Sequence, residues 1–435
     1  MIMKVAKSGV VSEEVRKIAK DEGVSPRILL RRIADGRVVV ARNVARRENN
    51  VKILGIGYGL RTKVNANVGT SMFVNDLEME KRKLRIAIRY GADTVMDLST
   101  GGDLDKIRRE LMSISSVPFG TVPVYQAYIE AVRKHRAPVE MSEDDFLRAI
   151  ERHLKDGVDF MTIHAGIRKE HVMKLKKIGR VAGIVSRGGA ILAAWMYYND
   201  RENPLYSNFD YILEVFEEYD AVISLGDALR PGAIVDAHDY FQVAEMVTLA
   251  ELVHRAREKN IQTMVEGPGH VPLNQVVLDI RLEKAITKGA PYYVLGPIVT
   301  DISTPYDHIS AAIGAAMAAA AGADFICYLT PSEHLSLPNE EQVKLGVIAA
   351  RIAAHAGDLV KYGKRFLGKD LEMAKARASL DWEKIISLSI EPERARKIRD
   401  QFVIPEAGCT MCGPLCVYVI LEKILKGEDP EEPEG

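Results

Sequence analysis

The chain has 435 residues, with 59 basic and 60 acidic side chains and a formal net charge of -1. This balance argues against a strongly basic face that binds nucleic acid or an anionic membrane. Hydrophobic residues make up 47% of the chain, but no apolar run approaches the roughly 20 residues of a membrane span. We therefore expect a cytoplasmic protein that acts on small molecules without nucleic acid or membrane partners.

The first fifty residues predict a small helical region. Ser12 is a residue type that caps a helix start. Ser25 and Pro26 begin a second apolar stripe, which ends at Gly36. We place a small N-terminal helical region at residues 1–50.

From about residue 55 onward, short apolar runs alternate with amphipathic stretches, which is typical of repeated βα units around a parallel sheet. The candidate strands are 63–67, 94–98, 121–125, 160–164, 183–186, 221–226, 262–266, 293–295 and 325–330. No glycine-rich dinucleotide fingerprint appears, so the spacing favours a (β/α)8 TIM-like barrel over an open doubly wound sheet. The barrel catalytic domain is predicted at residues 51–360, and one of the nine candidate strands is surplus.

The remaining residues, 361–435, predict a C-terminal helical segment followed by an arm. Predicted helices cover 341–359, 371–378 and 381–390. Pro405 and Gly408 interrupt the helical pattern just before three cysteines, which predicts a mobile cysteine-bearing arm. The tail 426–435 is acidic and rich in proline, so we expect it to be disordered.

Three of the four cysteines, Cys409, Cys412 and Cys416, lie within eight residues of one another. Three thiolates on a short loop can ligate three irons of a 4Fe-4S cluster and leave the fourth iron open to a small molecule. An odd cysteine cluster in a long chain disfavours a disulfide framework. Structural zinc stays an alternative, with a fourth ligand supplied by folding. Cys327 is interpreted as a small core residue.

Polar residues accumulate at the carboxyl ends of the candidate strands, which share one face of a barrel. They are Asn67, Asp97, Ser99, Tyr125, His164, Ser186, Arg187, Asp227, Arg230, Glu266, His270, Tyr293, Glu333 and His334. Each residue alone can be an ordinary cap or turn residue. Their repetition predicts an active site at this face.

The segment Ser186-Arg187-Gly188-Gly189 precedes an apolar helical run. Backbone N–H groups at that helix start, with a guanidinium beside them, would bind a phosphate. Arg230 would supply a second cation from the next strand. The alternative is an ordinary tight turn.

Two histidines are candidate metal ligands. Glu266 and His270 are four residues apart, but the Gly-Pro-Gly between them excludes a helix. His270 and His334 could together bind one divalent metal and leave positions open. The alternative is that both are ordinary core or rim residues. His164 is a candidate substrate ligand or proton carrier.

Together these motifs resemble the ThiC family of thiamine biosynthesis, the phosphomethylpyrimidine synthase family of the radical S-adenosylmethionine superfamily. The matching strings are 64–69, 91–100, 120–126, 162–166, 184–189, 266–272 and 333–339. The similarity covers roughly residues 50–420, and strings of this length in this order are highly specific.

The resemblance implies a radical S-adenosylmethionine lyase. It would convert 5-aminoimidazole ribotide to 4-amino-5-hydroxymethyl-2-methylpyrimidine phosphate and release formate, carbon monoxide, 5'-deoxyadenosine and methionine. The resemblance implies substrate contacts at Asn67, Met96, Tyr125, His164, Ser186, Arg187, Gly188, Asp227, Ala228, Leu229, Arg230, Glu266 and Tyr293. Glu266 and His164 are the candidate catalytic residues.

The resemblance also implies cofactors and partners. Zinc or iron would bind His270 and His334, and a 4Fe-4S cluster would bind Cys409, Cys412 and Cys416. An external electron donor of the flavodoxin or ferredoxin type is expected. A homodimer with shared active sites is expected as well.

The sequence departs from the family pattern at two places, and the altered cysteine spacing leaves room for a paralogue. The cysteines are spaced C-x2-C-x3-C, one residue shorter than usual, and Ala228 stands where the family has glycine. A paralogue, 5-hydroxybenzimidazole synthase of anaerobic cobamide biosynthesis, would act on the same ribotide. Remoter alternatives are a zinc-dependent barrel hydrolase or lyase with a structural cysteine site, and an iron-sulfur redox sensor.

Overall fold

The computed structural model describes residues 1–46, 51–134, 137–402 and 408–427. The chain divides into two compact units, Met1–Lys361 and Tyr362–Gly435.

Three helices and a β-hairpin form the N-terminal region. They are α1 (Ile2–Lys7), α2 (Glu13–Glu22), α3 (Pro26–Ala34) and the antiparallel strands β1 (Val38–Ala41) and β2 (Leu54–Gly57). As predicted, Ser12 caps α2 by accepting the Val15 N–H, and Pro26 occupies the first turn of α3. The hairpin is not among the predicted elements, because a basic segment separates its two strands in sequence.

Eight parallel strands close into a barrel, which confirms the predicted fold class. They are β3 (Lys63–Val68), β4 (Thr94–Asp97), β5 (Phe119–Thr121), β6 (Phe160–Ile163), β7 (Val222–Leu225), β8 (Thr263–Glu266), β9 (Tyr292–Leu295) and β10 (Phe325–Cys327). Consecutive strands are neighbours, and β10 pairs with both β9 and β3. The carboxyl ends of all eight strands therefore meet at one face of the barrel.

At least one helix follows every barrel strand. The helices that follow the barrel strands are α4 (Leu77–Arg89), α5 (Leu104–Ile114), α6 (Pro123–Arg133), α7 (Glu143–Asp156), α8 (Lys169–Ile178), α9 (Arg187–Asn199), α10 (Pro204–Ser207), α11 (Phe209–Tyr219), α12 (Tyr240–Glu258), α13 (Leu273–Ile286), α14 (Asp307–Ala321) and α15 (Glu340–Tyr362), which ends at the boundary between the units. The predicted helix 341–359 coincides with α15.

Two strand predictions are wrong. The surplus candidate is 183–186, which lies in coil because β6 pairs directly with β7 and because Ser186 caps α9. The candidate 121–125 is displaced. The strand ends at Thr121, and Pro123 begins α6, where the fixed φ of proline suits a first helical turn. Tyr125 therefore lies at a helix start and not at a strand end.

Aromatic residues fill the barrel interior. The Tyr293 and Phe325 rings stack with centroids 4.1 Å apart, and Phe160 meets Phe325 edge-on at 6.1 Å. These large side chains make the barrel a packed core rather than a pore.

The N-terminal region binds the amino ends of the barrel strands. The Val40 N–H donates to Gln262 Oε1 at 2.7 Å, just before β8. The Asn43 N–H donates to Asp159 Oδ1 at 2.9 Å, just before β6. The N-terminal region therefore packs against the amino face of the barrel.

Four helices lie within the described residues of the second unit, and two of them overlap the predicted helices 371–378 and 381–390. They are α16 (Gly368–Ala378), α17 (Trp382–Leu388), α18 (Pro392–Arg399) and α19 (Val417–Lys426). Most of the tail predicted to be disordered, residues 428–435, lies outside the described residues. Over the part of the chain that the structure describes, no helix has the length and apolar character required to cross a bilayer.

Candidate active site

A cavity opens at the carboxyl face of the barrel, where the strand-end residues were predicted to converge. Its lining includes Asn67, Met96, Tyr125, His164, Ser186, Asp227, Arg230, Glu266 and Tyr293. Every one of these is a predicted substrate contact. The topology explains the convergence, because eight consecutive parallel strands bring distant segments to one rim.

The other four predicted contacts, Arg187, Gly188, Ala228 and Leu229, are not in the cavity lining. Arg187 lies over the Tyr125 ring, with its guanidinium carbon 4.7 Å from the ring centroid. Gly188 packs so closely on His164 that an added β-carbon would lie 2.4 Å from the imidazole. Ala228 and Leu229 are fully buried behind the rim.

The start of α9 has the features expected of an anion site. Ser186 caps this 13-residue helix, with its Oγ accepting the Gly189 N–H at 3.2 Å. Arg187 and Gly188 are the first helical residues, so their N–H groups have no intrahelical acceptor. The partial positive charge of the helix start adds to that of the guanidinium.

Glu266 has the strongest acid–base character among the predicted catalytic residues. Its Oε1 accepts hydrogen bonds from Thr162 Oγ1 at 2.7 Å and Ser224 Oγ at 2.6 Å. Burial, followed by the charge of Asp227, raises the pKa of Glu266 to about 7. A carboxyl group with this pKa can both accept and donate a proton at neutral pH.

Thr162 and Ser224 were not among the predicted site residues. Each is the hydroxyl-bearing residue inside an otherwise apolar strand, Phe-Met-Thr-Ile and Val-Ile-Ser-Leu. A buried hydroxyl needs a hydrogen-bond partner. This feature is the signal that would have indicated them.

Asp227 and Arg230 form an ion pair in the cavity wall, with Arg230 Nη1 2.9 Å from Asp227 Oδ1. Burial alone would lower the pKa of Arg230, but the Asp227 charge and the hydrogen bond raise it overall. The guanidinium therefore stays charged.

His164 lies deep in the cavity, and burial lowers its pKa to about 3. Its Nε2 is 3.2 Å from Ser186 Oγ. The ring is therefore neutral at physiological pH. A neutral imidazole suits hydrogen bonding to a substrate better than it suits proton donation.

Sulfur atoms line another part of the cavity. Asn67 Nδ2 donates to Cys327 Sγ at 3.2 Å, and the Tyr293 hydroxyl donates to Met96 Sδ at 3.4 Å. Cys327 is buried, as predicted for a core residue, but it also belongs to the cavity wall. Burial raises its pKa to about 11, so the group remains a thiol.

The two candidate metal ligands lie side by side, with the His270 and His334 ring centroids 5.4 Å apart. Each Nδ1 meets a carboxylate that was not predicted. His270 is 2.7 Å from Asp301, and His334 is 3.3 Å from Asp307. Carboxylates in this position orient imidazoles for metal binding through the other nitrogen.

These residues fit a divalent metal held by two imidazoles. In the described ranges, no group of three or more histidine, cysteine or acidic side chains is arranged to hold a metal. The protein would thus contribute two ligands and leave the other positions to substrate, cosubstrate or solvent.

The cysteine segment forms a short turn in the second unit. Cys409 is half-buried, Cys412 is exposed, and Cys416 is buried at the start of α19. Backbone N–H groups of Met411 and Cys412 lower the pKa of Cys409, which favours its thiolate. Three soft donors on one turn fit a three-cysteine iron-sulfur cluster in chemistry, although the described thiols are not gathered into a ligand group.

A closed barrel with a cavity at its carboxyl face is the architecture of TIM-barrel enzymes, whose active sites lie at that face. The sequence model of the radical SAM ThiC family matches residues 1–423. The chain belongs to this family.

Curated relatives match almost the whole chain. The phosphomethylpyrimidine synthase of Ignicoccus hospitalis is 56% identical over 99% of this chain and 98% of its own length. That of Methanopyrus kandleri is 55% identical over 96% of this chain and 97% of its own. Among solved structures, a dihydropteroate synthase from Stenotrophomonas maltophilia overlaps with a TM-score of 0.40 at 11% identity, covering 69% of this chain and 94% of its own. That overlap is too low to carry an argument.

Proposed function

We propose that the protein is a phosphomethylpyrimidine synthase of thiamine biosynthesis. It converts 5-aminoimidazole ribotide to 4-amino-5-hydroxymethyl-2-methylpyrimidine phosphate, with S-adenosylmethionine as cosubstrate. The released products are formate, carbon monoxide, 5'-deoxyadenosine and methionine. The observation that carries the proposal is one cavity lined both by Ser186, which caps the start of α9, and by Glu266, whose carboxyl group has a near-neutral pKa. The curated names of relatives more than half identical to this chain support it.

The phosphate of the ribotide would bind at the start of α9. Arg187 is exposed there, and its guanidinium over the Tyr125 ring is held in a defined place. Arg230 lines the cavity together with Ser186, the cap of this helix, and it stays charged through Asp227. Two cations and a helix start would neutralise a phosphate dianion.

The remaining lining residues suit the imidazole and ribose parts of the substrate. Tyr293 offers an aromatic face that is stacked on Phe325 and so fixed in place. Asn67 and neutral His164 offer hydrogen bonds without adding charge. Glu266 would accept and return protons, since its pKa lies near neutrality.

Cys409, Cys412 and Cys416 would hold the 4Fe-4S cluster. A bound cluster would supply the electron that starts radical chemistry on S-adenosylmethionine. His270 and His334 would hold zinc or iron. The flavodoxin-type or ferredoxin-type donor and the homodimer with shared sites stay predictions.

One anaerobic incubation tests the proposed function. The reconstituted protein is mixed with dithionite, 5-aminoimidazole ribotide and S-adenosylmethionine, and the products are identified by mass spectrometry. We expect the pyrimidine phosphate and 5'-deoxyadenosine, with neither formed when S-adenosylmethionine is omitted.

Two results would contradict the proposal. Formation of 5-hydroxybenzimidazole would assign the chain to the cobamide branch. Turnover without reductant or S-adenosylmethionine would favour a metal-dependent hydrolase or lyase.

A further inference from the structure

A second, smaller cavity lies behind the substrate cavity, next to α12. Asp227, Arg230 and Glu266 line both cavities. Gln242, Glu245 and Tyr292 line only the smaller one. Gln242, Glu245 and Tyr292 are therefore close enough to influence the side chains that line both cavities.

Glu245 makes a direct contact with the rim. It lies on α12 and is 2% exposed, and its Oε2 accepts the Leu229 N–H at 2.6 Å. Leu229 is itself fully buried, between Asp227 and Arg230 in sequence. A buried N–H that loses its acceptor destabilises its segment, so this hydrogen bond fixes the path of residues 227–230.

The helix that carries Glu245 is anchored near this residue. The side chain of Asp279 accepts a hydrogen bond from Gln242 Nε2 on α12 at 2.6 Å and another from the Tyr292 hydroxyl on β9 at 2.7 Å. Asp239 caps the start of α12 by accepting the Gln242 N–H at 2.9 Å. These contacts tie α12 to the barrel wall within one turn of Glu245.

Unsatisfied polar atoms surround the smaller cavity. Glu245 Oε1, Asp227 Oδ2 and Arg230 Nε are buried without a hydrogen-bond partner within the described residues. All three side chains line this cavity. Burial, together with the neighbouring charge of Asp227, raises the pKa of Glu245 well above its usual range, which favours the protonated form beside Asp227.

We propose that Glu245 is a positioning residue for the substrate site. Its buried carboxyl group holds the Leu229 N–H and thereby sets where Asp227 and Arg230 enter the substrate cavity. The consequence for ribotide binding rests on the proposed function, whereas the consequence for the 227–230 backbone does not.

Two substitutions at Glu245 distinguish the loss of the hydrogen-bond acceptor from a change in side-chain volume. Glu245→Gln keeps an oxygen that can accept from the Leu229 N–H, whereas Glu245→Met keeps similar volume and removes the acceptor. In the full-length protein without ligand, we expect hydrogen exchange of the 227–230 backbone to rise about tenfold or more in Glu245→Met. Exchange in Glu245→Gln should stay near that of the unchanged protein. If Glu245→Met does not fold, Glu245→Asp replaces it, since the shorter side chain withdraws the acceptor.

Calorimetric titration with 5-aminoimidazole ribotide gives the second measurement. The dissociation constant should rise about tenfold or more in Glu245→Met and stay within about threefold in Glu245→Gln. Leu252→Ala is the matched control, because Leu252 is fully buried on the same helix but does not line the smaller cavity. It should lower the melting temperature without weakening ribotide binding.

The proposal is overturned if Glu245→Met leaves exchange at 227–230 unchanged, or if Leu252→Ala weakens ribotide binding as much as Glu245→Met does. If the unchanged protein does not bind ribotide at all, the proposed function fails. The exchange measurement then still decides the role of Glu245.

Discussion

The barrel and the cysteine segment hold their functional groups in different ways. In the barrel, Glu266 is held by two hydroxyl groups, and His270 is held by a carboxylate. The cysteine segment is shaped by backbone hydrogen bonds, such as that from the Gly413 N–H to the Cys409 carbonyl at 3.0 Å. Its thiols range from exposed to buried. The proposed substrate contacts thus lie in a preorganised core, while the proposed cluster ligands depend on a short local turn.

The largest expected effect is the loss of the iron-sulfur cluster from the cysteine segment, with ligand binding in the barrel retained. Cys412→Ala should abolish turnover and 4Fe-4S absorption after anaerobic reconstitution, because only two thiolates remain. Ribotide affinity should be unchanged, since the barrel supplies those contacts. Iron analysis and calorimetry measure the two properties.

Met411→Ala is the control for the cysteine substitution. Met411 lies between two of the cysteines and is 90% exposed. This variant should keep about four irons per chain. A Cys412→Ala protein with full iron content and turnover would remove the cysteine segment from the mechanism.

The next effect tests chemistry within the barrel alone. Glu266→Gln should lower turnover by about a hundredfold or more, since the glutamine cannot accept a proton. Bound iron and ribotide affinity should change little.

Ser224→Ala removes a hydrogen bond that lowers the pKa of Glu266, so the ionisation seen in the pH–rate profile should move above pH 7. An unmoved profile would assign that ionisation to another group.

Phosphate binding gives the third effect. Arg187→Met should weaken the binding of the phosphorylated ribotide by roughly 10- to 100-fold, because it removes a charge-assisted hydrogen bond. The binding of the dephosphorylated nucleoside should change little. Arg148→Met, at an exposed arginine on α7, controls for overall charge. Equal losses for both ligands would remove the phosphate from the start of α9.

The metal site should respond in a graded way. His270→Ala should remove most binding of one divalent zinc or iron ion, as measured by titration. Asp301→Asn should weaken binding by about tenfold, because the carboxylate orients His270 without being a ligand itself. If the unchanged protein, His270→Ala and Asp301→Asn all bind the metal with equal affinity, the metal site lies elsewhere.

The smallest effect concerns the stability of the barrel. Burial raises the pKa of Glu283 from 4.5 to about 7. The folded state therefore holds this proton more tightly than the unfolded state, and that contribution to stability is lost as the pH rises through 7. Glu283→Gln should raise the melting temperature at pH 8.5 by a few degrees relative to the unchanged protein, from a free-energy difference on the order of 3 kcal/mol or less. At pH 4.5 the two proteins should melt alike.

Glu258→Gln, at an exposed position, is the control for the stability measurement. It should show no such pH dependence. A Glu283→Gln advantage that is the same at both pH values would show that packing, and not ionisation, is responsible.

Much of the site could be predicted, because a residue at the end of a strand is identified by its immediate neighbours in the sequence. A short apolar run followed by a polar residue identifies Asn67, His164 and Glu266 without any knowledge of the partners. The same local rule failed at 183–186, where the apolar run is followed by a helix cap and is not a strand. It also failed at Tyr125, because Pro123 begins a helix that contains this residue.

The sequence by itself determined the βα repeat, the barrel class, the ring of strand-end side chains and the clustering of the cysteines. Each of these is written in neighbouring residues. Only the tertiary structure decided which candidate strand is surplus, and only it showed the partners of the site residues. Thr162 and Ser224 lie 104 and 42 residues from Glu266 in sequence. The near-neutral pKa of Glu266 and the neutral state of His164 arise from burial, which no local pattern specifies.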